Sequence, residues 1–263
     1  MSGPKRTIGL IGGSGLQEFL GASGGEAHRV ATPWGAPSAA ITEGRVGEVR
    51  VLFLPRHGVG HTIPPHRVNY RANVDALKSL GADAILTVSS VGSLRAELPP
   101  GTFVLPNQFV DFTKQRPTTF FDGGRVYHVS TADPFCPDLT AHAVAAGQAT
   151  GSRFAERRTY VCVEGPRFST RAESNFYRGF ADIIGMTLVP EVTLARERGL
   201  CYLCLATVTD FDVWAEKPVA AKDVVETMHR DADRMGRVLE DLVPRLANAP
   251  TCMCARALDD AGL

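Results

Sequence analysis

The stretch LCLATVTDFDVWAE, residues 203–216, runs apolar and then stops at two aspartates separated by one phenylalanine. In an extended backbone alternate side chains share a face, so Asp210 and Asp212 would point the same way, with Phe211 opposite. Carboxylates crowded in this manner push one pKa upward, and an acid kept protonated near neutral pH can donate its proton to a leaving group. Asp after a strand also caps helices and closes turns, and on this stretch alone both readings stay open. Three further apolar runs end in groups suited to an anion. TIGLI (7–11) stops at Gly12-Gly13-Ser14-Gly15, a glycine turn that can bring backbone N–H groups against a negative charge. It is not a dinucleotide fingerprint, since Glu18 stands where a third glycine belongs, and it lacks the Gly-Lys-Ser/Thr of a Walker loop. VRVLFL (49–54) stops at Pro55-Arg56-His57-Gly58, and AILTVSS (84–90) at Ser89-Ser90-Val91-Gly92-Ser93. Arg56 supplies a planar fork for phosphate, His57 a second donor, and Ser14, Ser89 and Ser90 hydroxyls with neighbouring amides complete a cradle. Singly, each reads equally as a surface Arg or a turn Ser; at three strand ends together they are coherent.

These groups need a scaffold that brings strand ends together. Besides the runs above, TFVLP (102–106), TYVCV (159–163), ADIIGM (181–186) and LCYLCLATV (200–208) read as strands. Between them, Val74, Leu77 and Leu80 recur at helical spacing before Gly81, and PEVTLARERGL reads similarly up to Gly199. From about Ala220 to Leu246 one stripe of Val224, Met228, Ala232, Met235, Leu239 and Leu242 faces away from a charged surface, which reads as core. Strands alternating with helices imply an α/β fold with a mostly parallel sheet covered on both sides, whose ligands bind at strand ends. VEGPRFSTRAESN (163–175) is a strand end running into a helix N-cap, with Phe168 beside Gly-Pro placed to stack on a flat ligand. Met186 and Thr187 sit at another strand end.

The chain has 263 residues, 44% of them hydrophobic, enough for one large α/β domain. Lys plus Arg and Asp plus Glu both count 28, so no global field draws nucleic acid or an anionic membrane, and the expected partner is a small molecule. The first apolar stretch is too short and Gly-rich for a signal peptide, and no segment approaches about 18 uninterrupted apolar residues, so a soluble cytoplasmic protein is expected. Of the six cysteines, Cys201 and Cys204 fall on opposite faces of a strand, which argues against a metal or redox motif there; buried free thiols are the default for Cys136, Cys162, Cys201 and Cys204. No metal-ligating set is read. Cys252-Met253-Cys254 lies in a short tail, 247–263, after a domain of residues 1–246.

GGSGL, PRHG, HTIPPHRVNYRAN, VGSLR, PGTFVLPNQFVD, DPFCP, EGPRFSTRAES, GMTLVPE and TDFD, in this order over residues 7–245, resemble the trimeric purine nucleoside phosphorylase family. The resemblance implies a single-domain mixed α/β fold, a twisted central sheet flanked by helices. It implies phosphorolysis of S-methyl-5'-thioadenosine to adenine and 5-methylthioribose 1-phosphate, with phosphate as co-substrate and no cofactor. Residue by residue, Ser14, Arg56, His57, Ser89, Ser90 and Thr187 would hold phosphate, and Met186 would lie under the ribose. Phe168 would face the base. Asp210 would be the general acid at purine N7 and Asp212 would read the N6 amino group, since the family places a carboxylate pair here for 6-aminopurines and an Asn for 6-oxopurines. Apolar Val224 and Met228, one helical turn apart, suit a methylthio group, and His229 reads as a surface residue. His128 resembles a residue that reaches into a neighbour's site, so a homotrimer or homohexamer is expected. The Cys-x-Cys tail resembles the archaeal hexameric form, in which such cysteines form disulfides; the pairing is open. Three other readings compete: a 6-oxopurine or 5'-methylthioinosine phosphorylase, a nucleoside hydrolase, and a non-catalytic purine sensor on the same fold.

Overall fold

The structure, a computed structural model, describes residues 6–13, 25–215, 219–248, 250–259 and 261–262. Ser14 lies outside the described residues. In chain order the elements are β1 (Thr7–Gly12), β2 (Ala27–His28), β3 (Ile41–Val46), β4 (Val49–Pro55), α1 (Tyr70–Ser79), β5 (Ala84–Ser93) and β6 (Phe103–Phe112). They continue with α2 (Pro137–Ala149), β7 (Phe154–Val163), α3 (Arg171–Tyr177), β8 (Ile183–Gly185), α4 (Leu188–Glu197), β9 (Cys201–Asp210) and α5 (Ala221–Arg245).

All nine described strands join one sheet in the order β2-β3-β4-β1-β5-β8-β7-β6-β9, and β9 pairs with β5 as well. That second pairing closes β5-β8-β7-β6-β9 into a ring. The sheet is mixed and its longest ladders are parallel, β5 with β9 and β6 with β7 among them, as the alternation of strands and helices predicts. β1 is parallel to β4 and β5, and β9 to β5, but β8 runs against β5 and β6 against β9. Alternation of strands with helices predicts the parallel part only; hairpins such as β3–β4, joined across Gly47 at φ 59°, and the ring closure supply the rest.

β1 and the first halves of β5 and β9 are largely apolar because both faces of the sheet are covered there. Along β9, Tyr202, Cys204, Ala206 and Val208 pack into one core with Val74 and Leu77 of α1 and Val192 of α4. The alternate residues Cys201, Leu203 and Leu205 pack into the other with Leu139 of α2 and Met235, Leu239 and Leu242 of α5. Cys201 and Cys204 therefore sit on opposite faces, as the period-two reading requires. Helix starts and stops follow local chemistry. Asn69 accepts a hydrogen bond from Ala72 N at the start of α1, Gly81 with φ 92° ends it, and Thr170 with Glu173 forms a capping box on α3. The stripe of α5 is core only in its later turns. Val224 is half-buried and Met228 is 39% exposed, because the first turns of α5 overhang the sheet beside the glycine turn after β1.

The tail cysteines lie against two others: Cys252 Sγ stands 3.4 Å from Cys201 Sγ and 3.5 Å from Cys136 Sγ, and Cys254 Sγ lies within 4.8 Å of all three. Among the described residues no helix is long and apolar enough to cross a membrane.

Candidate active site

Strand β5 is the axis of the site. Thr87 and Ser89 share one face of it, and further along, Gly92 lies opposite Asp210 in the register with β9. From Ser89 to Gly92 the strand advances roughly 10 Å, which sets the separation of the end near Arg56, the one expected to hold an anion, from an acidic end.

At the anion end, Arg56 follows the last residue of β4, and its backbone N–H donates to Gly12 O at 3.0 Å, which ties it to the glycine turn. Its guanidinium is buried. Nε and Nη2 donate to Glu191 at 2.9 and 3.0 Å, Nη2 also donates to Thr87 Oγ1, and Nη1 to Val88 O at 3.3 Å. Tyr202 donates a further hydrogen bond to Glu191 at 2.8 Å. Burial alone would weaken the charge on Arg56, but the Glu191 carboxylate outweighs it and holds the pKa above the ordinary arginine value. The full fork predicted for phosphate is thus not free: four of the five N–H donors are committed, and one Nη1 hydrogen remains.

His57 also differs from its predicted role as a donor. Nδ1 lies 2.9 Å from Ile63 O, and since a carbonyl only accepts, Nδ1 carries the proton. Burial, followed by the charge of Arg56, pushes the ring down to about 4, so it is neutral at pH 7 and Nε2 presents a lone pair. Such a nitrogen accepts a hydrogen bond from an O–H or N–H donor. Ser89 Oγ and Thr187 Oγ1 meet at 3.5 Å. Ser90, one residue on along an extended strand, directs its hydroxyl to the opposite face, which leaves its main chain as the group that can face an anion.

At the acidic end the extended geometry expected of Asp210-Phe211-Asp212 is not present. β9 ends at Asp210, and Asp212 turns back with φ 49°, donating its N–H to Asp210 Oδ1 at 2.8 Å. Asp210 therefore closes a turn, and Thr209 Oγ1 donates to its other oxygen at 2.7 Å. Both carboxyls are raised above the usual aspartate range, and burial is the first cause of each. For Asp210 the hydrogen bonds from Thr209 and Asp212 pull the other way, and the charge of Asp212 adds a smaller upward push. Crowding, the cause expected from the sequence, is thus secondary to desolvation. Asp212 Oδ2 is buried with no hydrogen-bond partner. Trp214 Nε1 donates to Ser93 O at 2.7 Å, and Arg171, opening α3, donates to Val213 O and Ala215 O at 3.0 and 2.9 Å. These bonds pin the loop between β5 and α3.

Between the two ends, Met186 leans on Gly165: a Cβ there would lie 2.6 Å from its Sδ, so the EGPRF turn must carry glycine. Gly165 has φ 66° and a cis bond to Pro166. Phe168 follows on the same turn and is 40% exposed. Met228 Cε comes within 3.8 Å of the position of a Gly13 Cβ, which brings the start of α5 to the glycine turn. His128 is exposed, and its N–H is bonded to Ala261 O at 2.8 Å in the tail rather than to the residues along β5; His229 is exposed, as expected.

Sequence reasoning missed four residues. Glu191 braces Arg56 from 135 positions away, and no local signal connects them. Thr87 is hidden in an apolar run. Gly92 is glycine for space, since a Cβ would lie 2.9 Å from Asp210 Oδ1 and 3.3 Å from Asp212 Cβ. Arg116 is buried and donates to Val189 O at 2.5 Å and Glu164 O at 2.7 Å, joining the EGPRF turn to the start of α4.

The profile of the phosphorylase superfamily matches residues 7–244. S-methyl-5'-thioadenosine phosphorylase of Thermofilum pendens is 52% identical over 260 residues, 98% of each chain. A crystal structure of methylthioadenosine phosphorylase from an antarctic soil metagenomic library superposes with TM-score 0.92 at 43% identity, covering 98% of this chain and 92% of that one. A mutant adenosine/methylthioadenosine phosphorylase of Schistosoma mansoni, solved in complex with methylthioadenosine, gives TM-score 0.90 at 37% identity over 97% of this chain and 96% of that one.

Proposed function

The chain belongs to the phosphorylase superfamily, and from that premise we propose that it cleaves S-methyl-5'-thioadenosine with inorganic phosphate, giving adenine and 5-methylthioribose 1-phosphate. It would thus be a pentosyltransferase of purine and methionine salvage. The observation that carries this reading is the pair of ends on β5: a buried carboxyl pair with raised pKa values at Asp210 and Asp212, and a braced cation at Arg56.

In this reading phosphate sits against the remaining Nη1 hydrogen of Arg56, the Ser89 and Thr187 hydroxyls and the main chain of Ser90, and Ser14 is a further phosphate ligand. His57 Nε2 accepts from its P–OH. A phosphate oxygen bonds to C1' as the C1'–N9 bond breaks, and the electron pair of that bond passes to the purine. Asp210, protonated, gives its proton to N7 of the departing base, an assistance worth about 10²–10⁴ in rate. The unpartnered Asp212 Oδ2 accepts from the N6 amino group. A 6-oxopurine would set its O6 acceptor against that oxygen at a cost of about 1–3 kcal/mol. Met186 lies under the ribose, Phe168 faces the base, and Val224 and Met228 receive the methylthio group. Residues 1–246 form the catalytic unit and 247–263 its tail. The enzyme works in the cytoplasm with no cofactor, as a homotrimer or homohexamer in which His128 reaches the neighbour's site.

The test is to incubate the protein with S-methyl-5'-thioadenosine, adenosine and inosine, each with and without phosphate, and identify base and sugar product. Phosphate-dependent release of adenine from the methylthio nucleoside, with little reaction of inosine, is expected. Turnover without phosphate would instead indicate a hydrolase, and a preference for inosine would overturn the roles of the two aspartates.

A further inference from the structure

Helix α3 lies against the loop that carries Asp212. Arg171 donates from Nη1 to Val213 O and Ala215 O at 3.0 and 2.9 Å, and the guanidinium of Arg178, the C-cap, stands 4.1 Å over the Trp214 ring. Residues 171, 174 and 178 are three and four positions apart and share one face of a helix, so Ser174 is turned toward the same loop, between two residues that grip it. Ser174 is fully buried and its hydroxyl has no hydrogen-bond partner. A helical serine commonly bonds the carbonyl four residues back, but Thr170 O receives only the Ser174 N–H, at 2.9 Å. We propose that Ser174 is a positioning residue for base recognition: its hydroxyl donates to the Asp212 carboxylate and keeps that group an acceptor, so that the site takes a 6-aminopurine and turns away a 6-oxopurine.

The two orphaned atoms complement each other. Asp212 Oδ2 is buried without a partner, and the Ser174 O–H is a donor whose hydrogen rotates to suit its surroundings. The hydroxyl is also near enough to act on the carboxyl. Burial raises the Asp212 pKa, Ser174 is the first group that pulls it back, ahead of the Val213 N–H, and Glu173 adds a smaller upward push. A carboxyl accepts with both oxygens only while it is ionised, so a donor that stabilises its charge decides what the base meets. With Ser174 donating, Oδ2 keeps a second lone pair for the N6 amino group. Without it, a buried carboxyl takes up a proton more readily and can then donate to the O6 of an oxopurine. The same negative charge on Asp212 pushes the Asp210 pKa up, so Ser174 also helps the pair divide into one donor and one acceptor. This role rests on the proposed reading of Asp212 as the acceptor for the purine amino group.

The surroundings keep the serine in place. The capping box of Thr170 and Glu173 closes the first turn of α3, and at the other end Tyr177 packs into a cluster with Leu94 and Ile184. Arg178 Nε donates to Leu94 O at 3.2 Å, and Arg95 Nη1 donates to Arg178 O at 2.7 Å, so the end of the helix is tied to the chain just past β5. Other side-chain donors of this loop are committed, Trp214 Nε1 to Ser93 O and Arg171 Nη1 to two carbonyls, whereas the Ser174 hydroxyl is not.

Wild type, Ser174→Ala and Ser174→Cys are compared in steady-state kinetics with S-methyl-5'-thioadenosine and 5'-methylthioinosine at varied phosphate, with thermal unfolding alongside. Cysteine fills the space of serine but is a weak donor, so it separates loss of the hydrogen bond from loss of packing. The ratio of kcat/KM for the amino over the oxo nucleoside should fall by about tenfold in both variants, with KM for phosphate as in the wild type. The proposal is overturned if either folded variant keeps the wild-type ratio, including when both nucleosides lose rate together. A wild-type chain that shows no phosphate-dependent cleavage of the methylthio nucleoside would overturn the reading of the site and this role with it, and that result is seen before any variant is made. A crystal structure of the wild-type chain with adenine needs no variant at all. Ser174 Oγ should lie within about 3.0 Å of an Asp212 carboxyl oxygen, and a separation beyond about 3.5 Å would overturn the proposal.

Discussion

Gly92→Ala isolates the geometry on which the acid depends. The glycine needs no unusual φ, so the substitution acts through space alone. A methyl group at Gly92 would stand 2.9 Å from Asp210 Oδ1, 3.1 Å from Ile184 Cγ2 and 3.3 Å from Asp212 Cβ, where ordinary contact begins at 3.4 Å. β5 is paired with both β8 and β9 here and cannot retreat, so the carboxyls must yield by about 0.5 Å. Misplacing a reacting group by about 1 Å can cost on the order of 10²-fold, so about tenfold in kcat is expected for half that shift. Overpacking should cost about 1–3 kcal/mol of stability, which for a domain of this size lowers Tm by roughly 2–12 °C. KM for phosphate should change little, because Ser89 and Thr187 lie roughly 10 Å away along the strand. Steady-state kinetics varying each substrate, with thermal unfolding alongside, checks all three. A variant with wild-type kcat and Tm would refute the assignment of Gly92 as the spacer that seats Asp210, and a selective rise in phosphate KM would show that the two ends are not separated as described.

Asp210→Asn should lower kcat/KM for the methylthio nucleoside by about 10²–10⁴ while making the protein more stable at neutral pH. The sign follows from linkage: burial raises the folded pKa of Asp210, so the folded state gains from its proton below the unfolded pKa and loses that stability as pH rises through the folded value. Asn keeps the neutral form, so Tm of the two proteins should converge on acidification and diverge toward neutral pH; equal rates, or a variant less stable at pH 7, would contradict it. Glu191→Gln leaves the buried Arg56 without its counter-charge and should destabilise by about 3–5 kcal/mol, with added phosphate raising Tm more in the variant than in the wild type. Unfolding curves that match the wild type would mean that Glu191 does not brace the cation.

What could be read from the sequence follows what is local. β1, β4 and β9 begin and end close to where their apolar runs do, because both faces are buried and every residue is selected for it. β6 and β7 extend past the runs TFVLP and TYVCV into segments containing Gln108, Glu156 and Arg157, whose exposed side chains carry no hydrophobic period. α2 has small buried positions, Ala143, Ala146 and Gly147, and so shows no stripe. At the site, each strand end is visible singly. What joins them is not: Glu191 to Arg56, Asp212 turning back to Asp210, and Cys136 and Cys201 meeting Cys252 and Cys254 are fixed by which strands become neighbours. Residue types at strand ends suggest the anion and the acid, but only the fold shows that the Nε–Nη2 edge of Arg56 is already occupied and that His57 presents a lone pair.

The ring of β5-β8-β7-β6-β9 has a bearing on how such an enzyme could change. β9 is laddered on both sides, to β5 and to β6, so shifting its register by one residue would break two sets of hydrogen bonds at once and exchange its two buried faces. Asp210, the proposed proton donor, is therefore moored to a hoop that resists slippage. Loops around the rim, and the overhanging turns of α5, can lengthen or swap side chains to suit a different 5' substituent without unseating the chemistry at the base.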